Sequence, residues 1–303
     1  MPSGTTLPPG RERVAIREAW RSVQIKILGS AAAEGIPALW CECETCGQAR
    51  EKGGKDIRQR ASYLIDDDTM VDFGPDVFAQ VIANKIDLSK IRRLIFTHQH
   101  ADHLAPLGLV LRRPDFCTTR RAIKIFAPKS VLAVILRFIA EDANFLSFQD
   151  INTIPVPVTP GAAVVDDDLE ILPLLANHPP YGNAFVYVVS RHGRRAFIGT
   201  DTGWLPEESW ELLRNRPLDL AILDGTMALA EPDCDGGHMG ARVVVKFAER
   251  LKAMGALAAG AQLCVSHFSH GGKALHDDLR RFFEPHQIRP AYDGLTLTTP
   301  DER

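Results

Sequence analysis

The chain has no apolar run approaching the roughly 18 residues that a membrane-crossing helix needs. Its first twenty residues, MPSGTTLPPGRERVAIREAW, contain no apolar stretch suited to a secretory signal. These absences lead to the expectation of no membrane contact, a cytoplasmic location and a loose tail over residues 1–22. Excess positive charge is also missing. Lys and Arg number 35 against 38 Asp and Glu, a formal net charge of −3. A net-acidic chain lacks the broad electrostatic footprint that grips a polyanion, so no extended nucleic acid is expected as a partner. Cysteine is sparse, 6 in 303 residues, which excludes a disulfide framework as the organising device. No repeat or low-complexity break divides the chain, and with 45% hydrophobic residues it can bury a large core. A single α/β domain over residues 23–303 is therefore expected, and the composition leaves room for a homodimer.

Strand-like and helix-like patterns interleave from end to end. Val23–Gly29 alternates and is β-branched, and Ala61–Ile65 with Thr69–Phe73 reads as a hairpin across Asp66-Asp67-Asp68. Asp72-Phe73-Gly74 follows, where glycine would permit an unusual backbone. Helices are expected over Val77–Asn84, Leu104–Leu111, Ser130–Ala140 and Ala241–Met254. Strands are expected at Ile91–Phe96, Ile123–Phe126, Ile171–Ala176, Phe185–Ser190, Arg195–Gly199, Leu218–Leu223 and Gln262–Ser266. Pro155, Pro157 and Pro160 read as a loop, and Asp293-Gly294 as a turn between extended pieces.

The most informative stretch is THQHADH, from Thr97 to His103. Strand side chains repeat every second residue, so a strand running into a tight loop aims His98 and His100 the same way. Asp102 and His103 then turn toward a second position. Nitrogen and oxygen donors in this density suit one or two cations of zinc, iron or manganese. Further donors lie just past later strands: His178, Asp201 and His267. Two cations about 3.5–4 Å apart can generate hydroxide near neutral pH and neutralise charge on an attacked centre. That machinery serves phosphodiester, β-lactam, lactone and thioester hydrolysis alike, so the donors alone do not choose a substrate. Cys41, Cys43 and Cys46 have metal spacing rather than bridge spacing. They can wrap one tetrahedral zinc if a fourth donor arrives, or stand as reduced thiols or a redox cluster.

The HxHxDH element, the later His, the Asp of GTDTG and the final His resemble the signature of the metallo-β-lactamase superfamily. The resemblance implies a four-layer αββα sandwich with a dinuclear site along one edge. It implies His98, His100 and His178 on one metal, Asp102, His103 and His267 on the other, and Asp201 bridging. Asp72 would brace the ligand loop. LGSAAAEGIPALWCECETCGQAR, NHPPYGNAFVYVV, GTDTGWLPE, VSHFSH and YDGLTL are further similar to the cyclic phosphodiesterases of the carbon–phosphorus lyase pathway, the PhnP family. That similarity implies a structural zinc on Cys41, Cys43, Cys46 and His270, and a phosphate-side role for His238 in the glycine-rich loop Gly225–Gly240. It implies two active-site divalent ions, manganese or zinc with iron as an alternative. It also implies a small phosphorylated substrate, cleaved by a metal-bridging hydroxide with Asp102 and His238 as the catalytic side chains. Asp224 would orient a ligand His. Arg112, Arg113, Arg120 and Arg121 would either meet a second phosphate or form a solvated face. LGSAA, CxCxxC and the Asp224–Gly240 stretch are also similar to the PQQ biosynthesis protein B family, which implies an iron-dependent oxygenase. An RNase Z-like nuclease and a non-catalytic metal scaffold complete the alternatives.

Overall fold

The computed structural model describes residues 22–141, 146–179, 183–230 and 236–300. The tail expected over residues 1–22 lies outside this range but for its last residue. One seven-stranded sheet contains β1 (Gln24–Gly29), β2 (Ser62–Ile65), β3 (Thr69–Val71), β4 (Arg93–Ile95), β5 (Ile123–Ala127) and β6 (Thr153–Pro157). The other contains β7 (Val164–Asp166), β8 (Leu169–Leu175), β9 (Phe185–Arg191), β10 (Arg194–Gly199), β11 (Leu218–Asp224), β12 (Leu257–Ser266) and β13 (Ile288–Pro290). The last strand, β14 (Thr296–Thr298), returns to pair with β1 and completes the first sheet. In each sheet antiparallel pairs give way to parallel ones, at β3–β4 in the first and at β10–β11 in the second.

The two sheets stack through side chains that obey the strand period of two. Ile95 of β4, Tyr187 of β9 and Leu220 and Ile222 of β11 point into the space between the sheets. Their neighbours Leu94, Val188, Ala221 and Leu223 point outward, under helices. Over the first sheet lie α3 (Pro106–Val110) and α4 (Lys129–Glu141), with Val131, Ile135 and Ile139 fully buried; α1 (Glu44–Lys52) and α2 (Val77–Asn84) precede them in the chain. Over the second lie α5 (Glu207–Leu213), α6 (Ala241–Ala253) and α7 (His276–Phe283), where Trp210, Phe247 and Phe283 bury their rings. Burial on both faces explains the apolar runs Phe185–Val189 of β9 and Leu220–Leu223 of β11, and each such aliphatic side chain contributes about 1.5–3 kcal/mol. The four layers are the expected αββα sandwich. No described helix is long and apolar enough to cross a membrane.

The proline-rich segment and some short helices depart from the sequence reading. The Pro155–Pro157 segment is not a loop but β6, an edge strand parallel to β5, where a residue without an N–H costs no ladder bond on its open side. Asp293-Gly294 is the expected turn between extended pieces, and those pieces lie in different sheets. β13 belongs to the second sheet and β14 to the first, so the turn carries the chain from one sheet to the other. Short polar helices, α1 and α7 above all, show too narrow an apolar face to be seen in sequence: α1 buries only Cys46 and Ala49.

Candidate metal centre

All the imidazole and carboxylate donors lie just beyond the carboxyl ends of strands, at one edge of the sandwich. Asp72 follows β3, the His98–His103 loop follows β4, His178 follows β8, Asp201 follows β10, Asp224 ends β11 and His267 follows β12. Strands that run the same way deliver their loops to the same edge, and there the crevice of an open α/β sheet lies. Asp72, Asp201 and His267 all take positive φ, at 60°, 58° and 67°, although none is glycine. Strained backbone of this kind persists where the surroundings over-determine it.

Two buried relays hold the first imidazoles. In the first sheet the Asp72 carboxylate accepts hydrogen bonds from Thr97 N at 2.9 Å and from Thr97 Oγ1 at 2.9 Å, and His98 Nδ1 lies 2.9 Å from that same hydroxyl. In the second sheet Thr226 Oγ1 donates to Asp224 at 2.8 Å and faces His267 Nδ1 at 2.8 Å. A hydroxyl that donates to a carboxylate is left to accept, so Nδ1 of each histidine carries the proton and Nε2 offers its lone pair to the cavity. Neither threonine stood out in the sequence. Asp72 also takes His103 Nδ1 at 2.7 Å, which leaves His103 Nε2 toward the cavity as well. This is the bracing part expected of Asp72. Gly74 works through space rather than conformation: a Cβ there would stand 2.0 Å from Asp102 O, so only glycine lets the ligand loop lie against Phe73.

Asp201 is the hub. Its Oδ2 lies 3.0 Å from His98 Nε2, 3.2 Å from His103 Nε2, 3.4 Å from His178 Nε2 and 3.9 Å from His267 Nε2. Donor atoms fall into two quartets that share it: His98, His100, His178 and Asp201, and Asp102, His103, Asp201 and His267. These are the two sets expected from the sequence. Burial pulls His178 and His267 down to about 4, so both rings are neutral, the state in which an imidazole binds a cation. Burial opposes ionisation of Asp201, yet the imidazoles of His267, His103 and His98 hold its carboxyl well below the usual range. Burial likewise opposes charge on His103, and the carboxylates of Asp72 and Asp102 outweigh it.

The cysteines form a separate group. Cys41 Sγ and Cys43 Sγ lie 3.5 and 3.4 Å from His270 Nδ1, and all four donor atoms of Cys41, Cys43, Cys46 and His270 are within 4.8 Å of one another. The sulfurs accept backbone N–H groups, Cys43 from Cys46 and Cys46 from Ala38. The His270 imidazole and the Cys46 N–H bring the Cys43 thiol down to about 6, while burial pushes Cys46 up to about 11.

His238 stands at the rim, its ring centre 5.1 Å from that of His178 and 6.3 Å from that of His267. Asp224 has a wider part than orienting one imidazole. Besides Thr226 it accepts from Asp201 N at 3.0 Å and Met239 N at 2.8 Å, and so ties three loops together. The arginine stretch forms neither a solvated face throughout nor part of this centre. Arg112 turns inward to the carbonyls of Ile151, Arg121 and Asn152, and Arg113 pairs with Asp115 at 2.9 Å.

Residues 68–268 match the model of the β-lactamase superfamily domain. The chain belongs to the β-lactamase superfamily. This superfamily member is similar to a PhnP-family diphosphatase of known crystal structure, with 25% identity, a TM-score of 0.70, and 91% of this chain and 97% of that one covered. It is similar to the zinc-bound PqqB of Methylobacterium extorquens, with 18% identity, a TM-score of 0.68, and coverage of 90% and 99%. The coenzyme PQQ synthesis protein B of Azoarcus sp. strain BH72 is 24% identical over 91% of this chain and the whole of that protein. The family and the likeness to PhnP-type proteins expected from the sequence are thus borne out.

The donors of this superfamily member fit the cations that its fold implies. The Nε2 lone pairs of His98 and His267 face one carboxylate oxygen that His103 and His178 also approach, and Asp201 Oδ1 is buried without a hydrogen-bond partner among the described residues. Lone pairs facing one another are unfavourable unless a positive charge sits among them.

Proposed function

We propose that this protein is a metal-dependent hydrolase of small cyclic or diester phosphates. One divalent cation would be held by His98, His100, His178 and Asp201, and a second by Asp102, His103, His267 and Asp201. Cys41, Cys43, Cys46 and His270 would hold a structural zinc. The observation that carries the reading is Asp201 Oδ2, one buried oxygen ringed by Nε2 atoms of histidines from both sheets. Mixed imidazole and carboxylate donors suit zinc, manganese or iron. When bound, such a pair supplies Lewis acidity and a nucleophile at neutral pH.

The chain's own residues do the rest. Thr97 and Thr226 fix the tautomers of His98 and His267, so no ring must rotate to bind. Asp102 is drawn toward ionisation by His103 against the opposing effect of burial, and keeps a negative charge beside that ring. His238, with a third of its side chain exposed, reaches in from the rim. There it hydrogen-bonds a phosphate oxygen or gives a proton to the departing alkoxide. The net charge of −3 favours a small phosphorylated molecule over a polyanion, and the similarity to a PhnP-family diphosphatase supports chemistry at phosphorus.

The test is turnover of bis-p-nitrophenyl phosphate, 2′,3′-cyclic nucleotides and a diphosphate-linked nucleotide by protein reloaded with manganese or zinc. Hydrolysis abolished by a chelator is expected. Protein carrying both cations and turning over none of the three overturns the proposal. The full-length similarity to PQQ synthesis protein B favours a second reading, an iron-dependent oxygenase. Iron in the isolated protein together with oxygen consumption would select it.

A further inference from the structure

His238 Nδ1 lies 3.3 Å from Asp201 Oδ1, and both atoms are buried with no hydrogen-bond partner among the described residues. A buried ring nitrogen and a carboxylate oxygen this close call for a proton or a cation between them. Together with Asp224 and His267 they form a third donor group that overlaps the two quartets. Asp224 is already spent, since it accepts from Asp201 N, Thr226 N, Thr226 Oγ1 and Met239 N. What remains is a donor position made by Asp201, His267 and His238.

The backbone around His238 is pinned on both sides. Met239 is fully buried and its N–H is held by Asp224, while the Gly237 carbonyl faces His178 Nδ1 at 3.4 Å. Gly237 takes φ of 96°, and a Cβ there would press on Pro179 at 3.0 Å, so glycine is required beside His238. The imidazole itself is 34% exposed and can turn about its own torsions.

We propose, on the two-cation reading above, that His238 Nδ1 is a displaceable donor. It fills a position beside Asp201 and His267 in the free protein and swings outward when an oxyanion enters, so that one ring serves the resting site and then the substrate. The swing couples substrate entry to the freeing of a coordination position.

The test uses the full chain loaded with cobalt(II), with inorganic phosphate as the probe, comparing wild type with His238→Ala and with His238→Phe, which keeps a ring. Both variants are expected to change the visible cobalt spectrum in the absence of phosphate and to weaken one of two cobalt ions by about tenfold against a competing chelator. Saturating phosphate is expected to move the wild-type spectrum toward that of the variants and to shrink the difference in affinity. Two bound cobalt ions with the same spectrum and affinity in all three proteins overturn this inference and leave the two-cation reading standing. Fewer than two cobalt ions in wild type, apart from any held by the cysteines, overturn both.

Discussion

The imidazole–carboxylate centre draws its donors from loops after β4, β8, β10 and β12, whereas the cysteine group takes three donors from one six-residue turn and only His270 from afar. The two differ again in what stands behind each donor. Behind His98 and His267 are buried side chains, the Asp72–Thr97 and Asp224–Thr226 pairs. Behind Cys43 and Cys46 are only the N–H groups of their own loop and helix start. The first centre is thus shaped by the core before any cation arrives. The second is closed by local chain geometry and, with the proposed zinc bound, would gain its rigidity from that ion. A shape fixed beforehand suits chemistry, and a clasp suits stability.

The strongest way to break this contrast is at the hub. Asp201→Asn keeps the shape of the side chain but removes the charge shared by both quartets. It should lower kcat/KM by at least about 10³-fold. Elemental analysis should show the labile ions lost, the cysteine-held ion retained and the melting temperature little changed. Cys46→Ser should do the reverse. Removing a donor of the clasp should lower the melting temperature by roughly 10 °C, as read by calorimetry, while two labile ions still bind. Cys46→Ser protein that loses activity and the labile ions without loss of stability would show that the two groups are not built on different plans.

A smaller effect sharpens the contrast. Thr226→Val removes the hydroxyl between Asp224 and His267 with almost no change of volume. Cation affinity measured by chelator competition should fall about 10- to 100-fold, with a stability cost of about 1 kcal/mol. Thr97→Val should behave alike, because it occupies the same place in the other sheet. Unchanged affinity in both variants would mean that the relays do not set the tautomers.

The sequence made the long strands legible because burial on both faces leaves an apolar run, as in Leu220–Leu223. It hid β6 behind Pro155 and Pro157, since proline argues against a strand unless the strand is known to lie at an edge. It hid α1 because a helix that mainly carries a cysteine turn needs little apolar surface. At the site, His98, His100, His178, Asp201 and His267 were legible from donor chemistry and their places after strands. Thr97 and Thr226 were not, because threonine is common and its use here depends on which carboxylate and which ring flank it. Gly74 was misjudged for a similar reason: its backbone is ordinary, and its need for space appears only when Asp102 O is brought against it.

Covalent neighbours therefore determined the spacing within HxHxDH and CxCxxC and the kinds of donor on offer, since those follow from the order of residues alone. Only the tertiary structure decided that Asp201 Oδ2 is the oxygen held in common, that two threonines aim the rings and that His238 faces the other Asp201 oxygen. The shared oxygen joins loops from the two sheets, and the other relations join separate parts of the chain at the edge of one. What brings the sheets together is the burial of Ile95, Tyr187, Ile222 and their neighbours, which acts without regard to the chemistry at the edge.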